Sequence, residues 1–507
     1  MPTGLRARNC VLPGLRFLIA GAAVLTLGFC GSVAAQPFAA PGRLDLRSDL
    51  QLLADRGVLG QPMTAWPLAW LNVIDGIEAS SGETLDVMTM DAFERIRDEA
   101  NIAKISDRLL PHVRVGLAKD PQAIRSFDDA PRQESEIEVG VRWTGDRLTF
   151  NLDVTHVSDT ADDWRLDGSY IGIAAGNWAL IAGYPERWWG PGLDGSLILS
   201  TNARPLPQLG IQRISARAFK ARWLRWLGPW TAATFIGQFD DARTISDALL
   251  FGLRVTARPL SNLEIGLSRA AQFCGADRPC DSSTFLKMLA GKDNRGINVD
   301  DAAEPGNQLA GLDLRWAFGR RPYAVYAQWI GEDSRQGGPQ IGSWLRLGGF
   351  EYWSTLRWSG WRQRSFIELA DTICQEGGGG FGGNKFNCAY QHGVYGSGYR
   401  YEGRSLGHGI DGDSKSVAAA TIVNAPNGQY WRIGGRHAEI NKGPISNQPH
   451  GVAAVPTHYS ELELEHGREL PLGNLRVRLG LVRQVDEISN SPRSDVNFSI
   501  EWLVGYW

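Results

Sequence analysis

Ile137-Glu138-Val139-Gly140-Val141-Arg142-Trp143, followed after a short break by Leu148-Thr149-Phe150-Asn151-Leu152-Asp153-Val154-Thr155-His156, decides the class of this fold. Each stretch alternates apolar with polar residues. A strand points successive side chains to opposite faces, so one face meets apolar matter and the other meets water or charge. The period recurs at Leu312-Asp313-Leu314-Arg315-Trp316, through residues 323–329, at Glu461-Leu462-Glu463-Leu464-Glu465 and at Leu475-Arg476-Val477-Arg478-Leu479. A soluble sandwich alternates in the same way. Three features favour an all-β transmembrane barrel instead. The strands run from about residue 134 onward with no helical interruption. Tryptophan and tyrosine gather near strand ends, as an interfacial girdle requires, and the chain ends in a strand.

The final strand carries an apolar row of Val496, Phe498, Ile500, Trp502, Val504 and Tyr506, interleaved with Asn497, Ser499, Glu501 and Gly505. Outer-membrane barrels resemble this, ending in an aromatic-tipped amphipathic strand that the insertion machinery recognises. That machinery and outer-membrane lipid are therefore expected partners. Trp507 is out of phase with the row, which leaves open which aromatic is read.

Working toward the N-terminus, the period changes. From about Arg43 to Ala118 the chain reads as helical. Leu46, Leu50, Leu53 and Ala54 form one stripe, ended by Gly57. Trp66 to Leu71 starts a second helix. Residues 91–97 with Ile102 and Ile105 make a third, stopped by Pro111. Ahead of these lies a leader: Arg6, Arg8 and Arg16, an apolar run from Phe17 to Cys30, and Val33-Ala34-Ala35 as a cleavage site before Gln36. The expected division is a signal peptide over 1–35, a helical periplasmic region over 36–125 and an outer-membrane barrel over 126–507. No later stretch has the ~18 consecutive apolar residues of a membrane helix.

Export sets the chemistry of the cysteines. Of six, Cys10 and Cys30 leave with the leader. Cys274, Cys280, Cys374 and Cys388 remain, in an oxidising compartment where disulfides persist. Three connectivities are open. Local pairing, Cys274 with Cys280 and Cys374 with Cys388, is the simplest, because each pair sits in a Gly- and Asp-rich loop segment. Without its three-arginine leader the chain is three charges more negative than the formal −3 of the whole, which argues against a nucleic-acid partner. The eight histidines show no metal-ligand spacing, and Asp411-Gly412-Asp413 is a fragment of a calcium loop that reads as a turn. No cofactor or metal is expected.

The densest chemistry lies in residues 183–205, which contain Arg187-Trp188-Trp189-Gly190-Pro191-Gly192-Leu193-Asp194-Gly195-Ser196 and Ser200-Thr201-Asn202-Ala203-Arg204-Pro205. Indole faces stack on the apolar faces of sugar rings. Arg, Asp and Asn hydrogen-bond hydroxyls and carboxylates. The bland alternative is an aromatic girdle with a structural turn. Here the chain resembles the Wzi-type capsule assembly proteins, whose motif reads much like residues 187–205. A second stretch, Tyr399-Arg400-Tyr401-Glu402-Gly403-Arg404-Ser405-Leu406-Gly407-His408, is also similar to that family. The resemblance implies a monomeric barrel of about eighteen antiparallel strands with a periplasmic helical bundle. It also implies attachment of capsular polysaccharide or exopolysaccharide to the cell surface. Carried over, the polysaccharide-binding residues are Arg187, Trp188, Trp189, Asp194, Asn202 and Arg204. Two other functions stand beside this one. The first is a porin-like channel for small solutes or saccharides, decided by whether the lumen is open. The second is a serine hydrolase, because Gly403-Arg404-Ser405-Leu406-Gly407 fits the nucleophile-elbow pattern, which needs a strand, a sharp turn and a helix around it.

Overall fold

The computed structural model describes residues 37–82, 84–158, 163–240, 242–289, 306–319, 321–332, 342–356, 359–376, 382–444 and 449–505. The leader with its cleavage site, Tyr506 and Trp507 lie outside the described residues. Three helices come first: α1 (Leu44–Asp55), α2 (Trp70–Ala79) and α3 (Val87–Ala103). The wall follows as β1 (Leu110–Lys119), β2 (Ser135–Thr144), β3 (Leu148–Val157), β4 (Tyr170–Ala175), β5 (Trp178–Gly183), β6 (Gln208–Arg213), β7 (Trp230–Gln238), β8 (Leu249–Leu260) and β9 (Leu263–Phe273). It continues through β10 (Gly306–Ala317), β11 (Tyr323–Gly331), β12 (Ser343–Thr355), β13 (Arg362–Glu376), β14 (Lys415–Asn424), β15 (Tyr430–Ile440), β16 (Thr457–Leu470), β17 (Gly473–Asp486) and β18 (Ser491–Gly505). Neighbours pair antiparallel, and β18 closes on β1 from Phe498↔Lys119 to Gly505↔His112, giving a closed 18-strand barrel.

Alternation along the strands explains the wall. On β16, Leu462 is 65% exposed, whereas Glu461, Glu463 and Glu465 are buried. The glutamates point into the lumen, where Arg436, Arg432 and Arg478 meet them. Ile137 and Val139 on β2 and Ile433 on β15 likewise face outward. This inverts a water-soluble fold: charge is inside and leucine is outside. Only a lipid surround makes that arrangement favourable. The lumen face is charged, and many of its charges pair with one another across strands. Arg254 and Asp313 lie 2.7 Å apart with both side chains buried.

The two ends differ. Turns are mostly short at one end, as at 176–177, 261–262 and 471–472, and most connections at the other are long. In outer-membrane barrels the short turns face the periplasm. The helices enter the lumen from this short-turn end. α1 is buried on nearly every face, apolar and polar alike. Its Asp49 pairs with Arg362 of β13 at 2.6 Å and its Asp55 with Arg315 of β10 at 2.6 Å. Asp86 caps α3 by accepting the Thr89 N–H at 3.0 Å.

Three sequence expectations change. The barrel begins at Leu110 rather than near 126. Pro111, read as a helix stop, is the second residue of β1, and the inward His112 and Arg114 hid the period of two. Residues 120–134 then turn back into the lumen and bury Ile124 and Phe127. Residues 65–66 and 68–69 are extended instead of opening a helix; they pair with Trp188–Trp189 and Phe38–Ala39, and α2 starts at Trp70. The third helix spans Val87–Ala103. Both local disulfides are present, Cys274–Cys280 and Cys374–Cys388.

Candidate functional site

After β5 the chain does not loop out into solvent. It folds into the lumen and crosses toward the helices. Trp188 and Trp189 form a two-residue strand against Trp66 and Ala65, so the indoles point opposite ways. Trp188 enters the cluster built by the helices. It meets Phe127 edge-on at 5.2 Å, and its Nε1–H donates to the Gly192 carbonyl at 3.1 Å. Trp189 enters the cluster built by the long loops and meets Phe235 edge-on at 5.6 Å. Gly190 between them and Pro191 has φ +150°, and a Cβ there would lie 2.8 Å from the Gln328 amide, so this crossing point takes only glycine.

Most polar groups of the segment have protein partners; Arg187 Nη1 and Asn202 Oδ1 are buried without a hydrogen bond among the described residues. Arg47 of α1 donates to the Pro191 and Gly192 carbonyls at 2.7 and 2.9 Å. Glu368 of β13 accepts the Leu193 and Gly195 N–H groups, each at 2.7 Å, and the Tyr326 hydroxyl at 2.7 Å. Asp194 takes two bonds from Arg436, at 3.1 and 2.5 Å. Arg187 donates to Gln208 at 2.7 Å, and its guanidinium lies 4.8 Å from the Phe235 ring centre. Burial with no carboxylate beside it pushes the Arg187 guanidinium down to about 9.

The second motif packs directly on the first. Arg400–Tyr401 and Arg404–Ser405 pair as a tiny hairpin inside the long connection between β13 and β14. Tyr399 donates its hydroxyl to the Ile198 carbonyl at 2.9 Å, and Tyr390 donates to that of Leu197 at 2.8 Å. Asn202 donates to the Ser405 carbonyl at 2.9 Å. His408 is fully buried, its Nδ1 accepting the Ile410 N–H at 3.2 Å, and burial holds it neutral by lowering its pKa to about 4. The two stretches are thus two halves of one plug, which joins the helices at Trp66, Trp188 and Arg47.

Of the six residues read as polysaccharide-binding, five are buried in this plug: Arg187, Trp188, Trp189, Asp194 and Asn202. The sugar-stacking role expected for the two tryptophans does not fit, because an indole enclosed by protein offers no face to a ring. Sequence shows that the rings are adjacent, not which way they point. Arg204 alone is partly exposed. It sits at the long-loop mouth and bridges Asp167, at 2.8 and 2.9 Å, and Glu402, at 2.8 Å. The register of the long loops, which no local pattern reveals, supplies these two acids. Ser405 does not sit in an elbow. It is buried on the hairpin with no helix following, and its Oγ accepts the Gly407 N–H at 3.1 Å.

A cavity of about 300 Å³ runs along one wall, lined by opposed charges that include Arg114, Arg132, Glu138, Asp153 and Glu501. His112 reaches across Gly140 to Asp153, with 2.9 Å between Nε2 and Oδ1; a Cβ on Gly140 would lie 2.2 Å from that nitrogen. His112, Glu138 and Asp153 come together here, as do Asp194, Glu368 and His408 in the plug, groupings that sequence spacing did not show. In both, the carboxylates already bond arginine, amide or hydroxyl groups of the protein.

Comparison with known proteins gives a consistent picture. The family model described as capsule assembly protein Wzi matches residues 110–479. Among curated proteins, an "Uncharacterized 55.8 kDa protein in cps region" of Klebsiella pneumoniae is 30% identical over 339 residues, covering 64% of this chain. The chain spans 65% of the length of that relative. Among solved structures, the Escherichia coli outer-membrane protein Wzi, described as involved in group 1 capsule assembly and as a carbohydrate-binding β-barrel, superposes with a TM-score of 0.78. It is 24% identical and covers 92% of this chain and 98% of its own. The OprD barrel of Pseudomonas aeruginosa reaches a TM-score of only 0.42 at 9% identity, covering 78% of this chain and 93% of its own.

Proposed function

The chain belongs to the Wzi capsule assembly protein family, and on that premise we propose that it is an outer-membrane barrel that binds and anchors capsular polysaccharide or exopolysaccharide at the cell surface. The observation that carries this reading is a lumen largely occupied by protein, with a cavity of about 300 Å³ left along one wall. Helices from one end and two interlocked loops from the other meet at Trp66 and Trp188, each fully buried. A barrel occupied in this way suits attachment rather than passage. The same reading makes the protein a monomer surrounded by outer-membrane lipid, inserted through its C-terminal strand, and not an enzyme. The plug sets the shape of the long-loop surface, and the polymer meets that surface rather than Trp188 or Trp189. Arg204 with Asp167 and Glu402 is the part of the motif that hydroxyls and carboxylates of a polymer can reach. Each contact is weak, and a polymer engaging many copies gains by avidity.

The test is a deletion strain in which surface polysaccharide is separated into cell-bound and released fractions. The expected result is polymer still made but shifted to the medium, restored by the wild-type gene and only partly by Arg204→Ala. Unchanged fractions would overturn the anchoring function, and sustained single-channel conductance of the purified barrel would favour a channel.

A further inference from the structure

The connection from β6 to β7 is the long one at the short-turn end, and its composition sets it apart from the two-residue turns beside it. It reads Ala216-Arg217-Ala218-Phe219-Lys220-Ala221-Arg222-Trp223-Leu224-Arg225-Trp226-Leu227-Gly228-Pro229, with four cations and no acid. Trp223 is 75% exposed and Trp226 is 66% exposed, and Arg217, Lys220, Arg222 and Arg225 are exposed beside them. Arg217 lies 3.4 Å from Asp75 in a solvent-exposed pair; the other three cations pair with no carboxylate among the described residues. Two large apolar rings held in water beside unneutralised charge are costly unless something covers them.

The base of the segment shows where it sits. Phe219 stacks on Trp230, ring centres 4.5 Å apart and 11° from parallel. Trp230 meets Trp178 edge-on at 6.5 Å. Both tryptophans fall on outward rows: Trp230 shares parity with exposed Ile236 on β7, and Trp178 is opposite in parity to buried Ala179 and Ile181 on β5. Asn72 of α2 fixes the start of the segment, accepting the Ala216 N–H at 2.8 Å and donating to the Ile214 carbonyl at 2.7 Å. The segment therefore continues the lipid-facing aromatic rim, on the end where short turns face the periplasm.

We infer that residues 216–229 form a foot that binds anionic phospholipid headgroups of the periplasmic leaflet. Trp223 and Trp226 enter the headgroup layer, and Lys220, Arg222 and Arg225, with Arg217, hold the phosphates. Amphipathic rings prefer that layer, and clustered Lys and Arg give preference for anionic over zwitterionic lipid. The inference rests on the membrane location proposed above and not on polysaccharide binding.

The purified full chain is delipidated in detergent, given equal amounts of phosphatidylglycerol and phosphatidylethanolamine, and examined by native mass spectrometry. Three proteins are compared: wild type, a variant with Arg217, Lys220, Arg222 and Arg225 all changed to Gln, and Trp223→Ser/Trp226→Ser. Heat-modifiable migration of the folded barrel controls for folding, and cell-bound polysaccharide is measured for each. Wild type is expected to retain phosphatidylglycerol at least fivefold over phosphatidylethanolamine. The glutamine variant should fall to parity, the serine variant should hold less of both lipids, and polysaccharide retention should not change. Equal retention of the two lipids by wild type, or undiminished preference in the glutamine variant, overturns the foot. Loss of polysaccharide with lipid preference intact also overturns it, and assigns the segment to the polymer. Failure of wild type to fractionate with the outer membrane defeats the membrane reading itself, which is a different result from either.

Discussion

Two tryptophan pairs, close in sequence, meet opposite fates. Trp188 and Trp189 are both fully buried, whereas Trp223 and Trp226 are among the most exposed large residues of the chain. The difference lies in their neighbours. Gly190, Pro191 and Gly192 let the first pair cross the lumen in an extended strand, with backbone groups bonded to Arg47 and Glu368. Arg222 and Arg225 bracket Trp223, and no acid nearby would let those charges be buried. Burial of an aromatic ring therefore depends on whether the adjoining polar groups have partners inside.

Five substitutions break or sharpen that contrast. The largest effect is expected from Trp188→Ala or Trp189→Ala, each costing about 3–5 kcal/mol because a large enclosed ring leaves a cavity. Thermal unfolding in detergent should show a markedly lower transition, and an unchanged one would mean that the plug is not part of the cooperative unit. Next is Asp194→Ala, which strands Arg436 with only Glu461 as its charged partner. Removing one member of a buried pair costs roughly 3 kcal/mol or more. The long loops should then become cleavable by added protease while the wall stays folded.

His408 gives a smaller, pH-dependent effect. Folded, it titrates near 4; unfolded, near 6.5. Between those values the unfolded chain takes a proton that the folded chain refuses. Stability is therefore complete above about pH 6.5 and declines as the pH falls toward 4, by at most about 2 kcal/mol at pH 5. His408→Gln should flatten the difference between unfolding at pH 7.5 and pH 5; an equal difference in the variant would place the titration elsewhere. The smallest effect belongs to Trp223→Ser, expected to change unfolding in detergent by less than ~0.5 kcal/mol. A loss approaching that of Trp188→Ala would erase the distinction between the pairs.

Much of the wall was legible because its period of two is imposed by lipid on one side and charge on the other, as along Glu461 to Glu465. β1 was not, because Pro111 imitates a helix stop and its inward positions carry His112 and Arg114. The disulfides were legible from proximity in loop segments. The candidate site was half legible. Its residues announce themselves by composition, but whether an indole faces a sugar or a phenylalanine depends on Phe127 and Phe235, which are distant in sequence. Asp167 and Glu402, which hold Arg204 at the outer mouth, are likewise brought there by loop register alone.

The joint at Trp66 and Trp188 has a mechanical consequence. Tension applied at Arg204 passes through Asn202 to the hairpin at Ser405, and through Asp194 and Glu368 to strands on the far wall. It also passes through Arg47 to α1, which Asp49 and Asp55 tie to β13 and β10. Force on the surface loops is thereby shared across the circumference, and the barrel resists being pulled apart as a spoked wheel resists load at its hub.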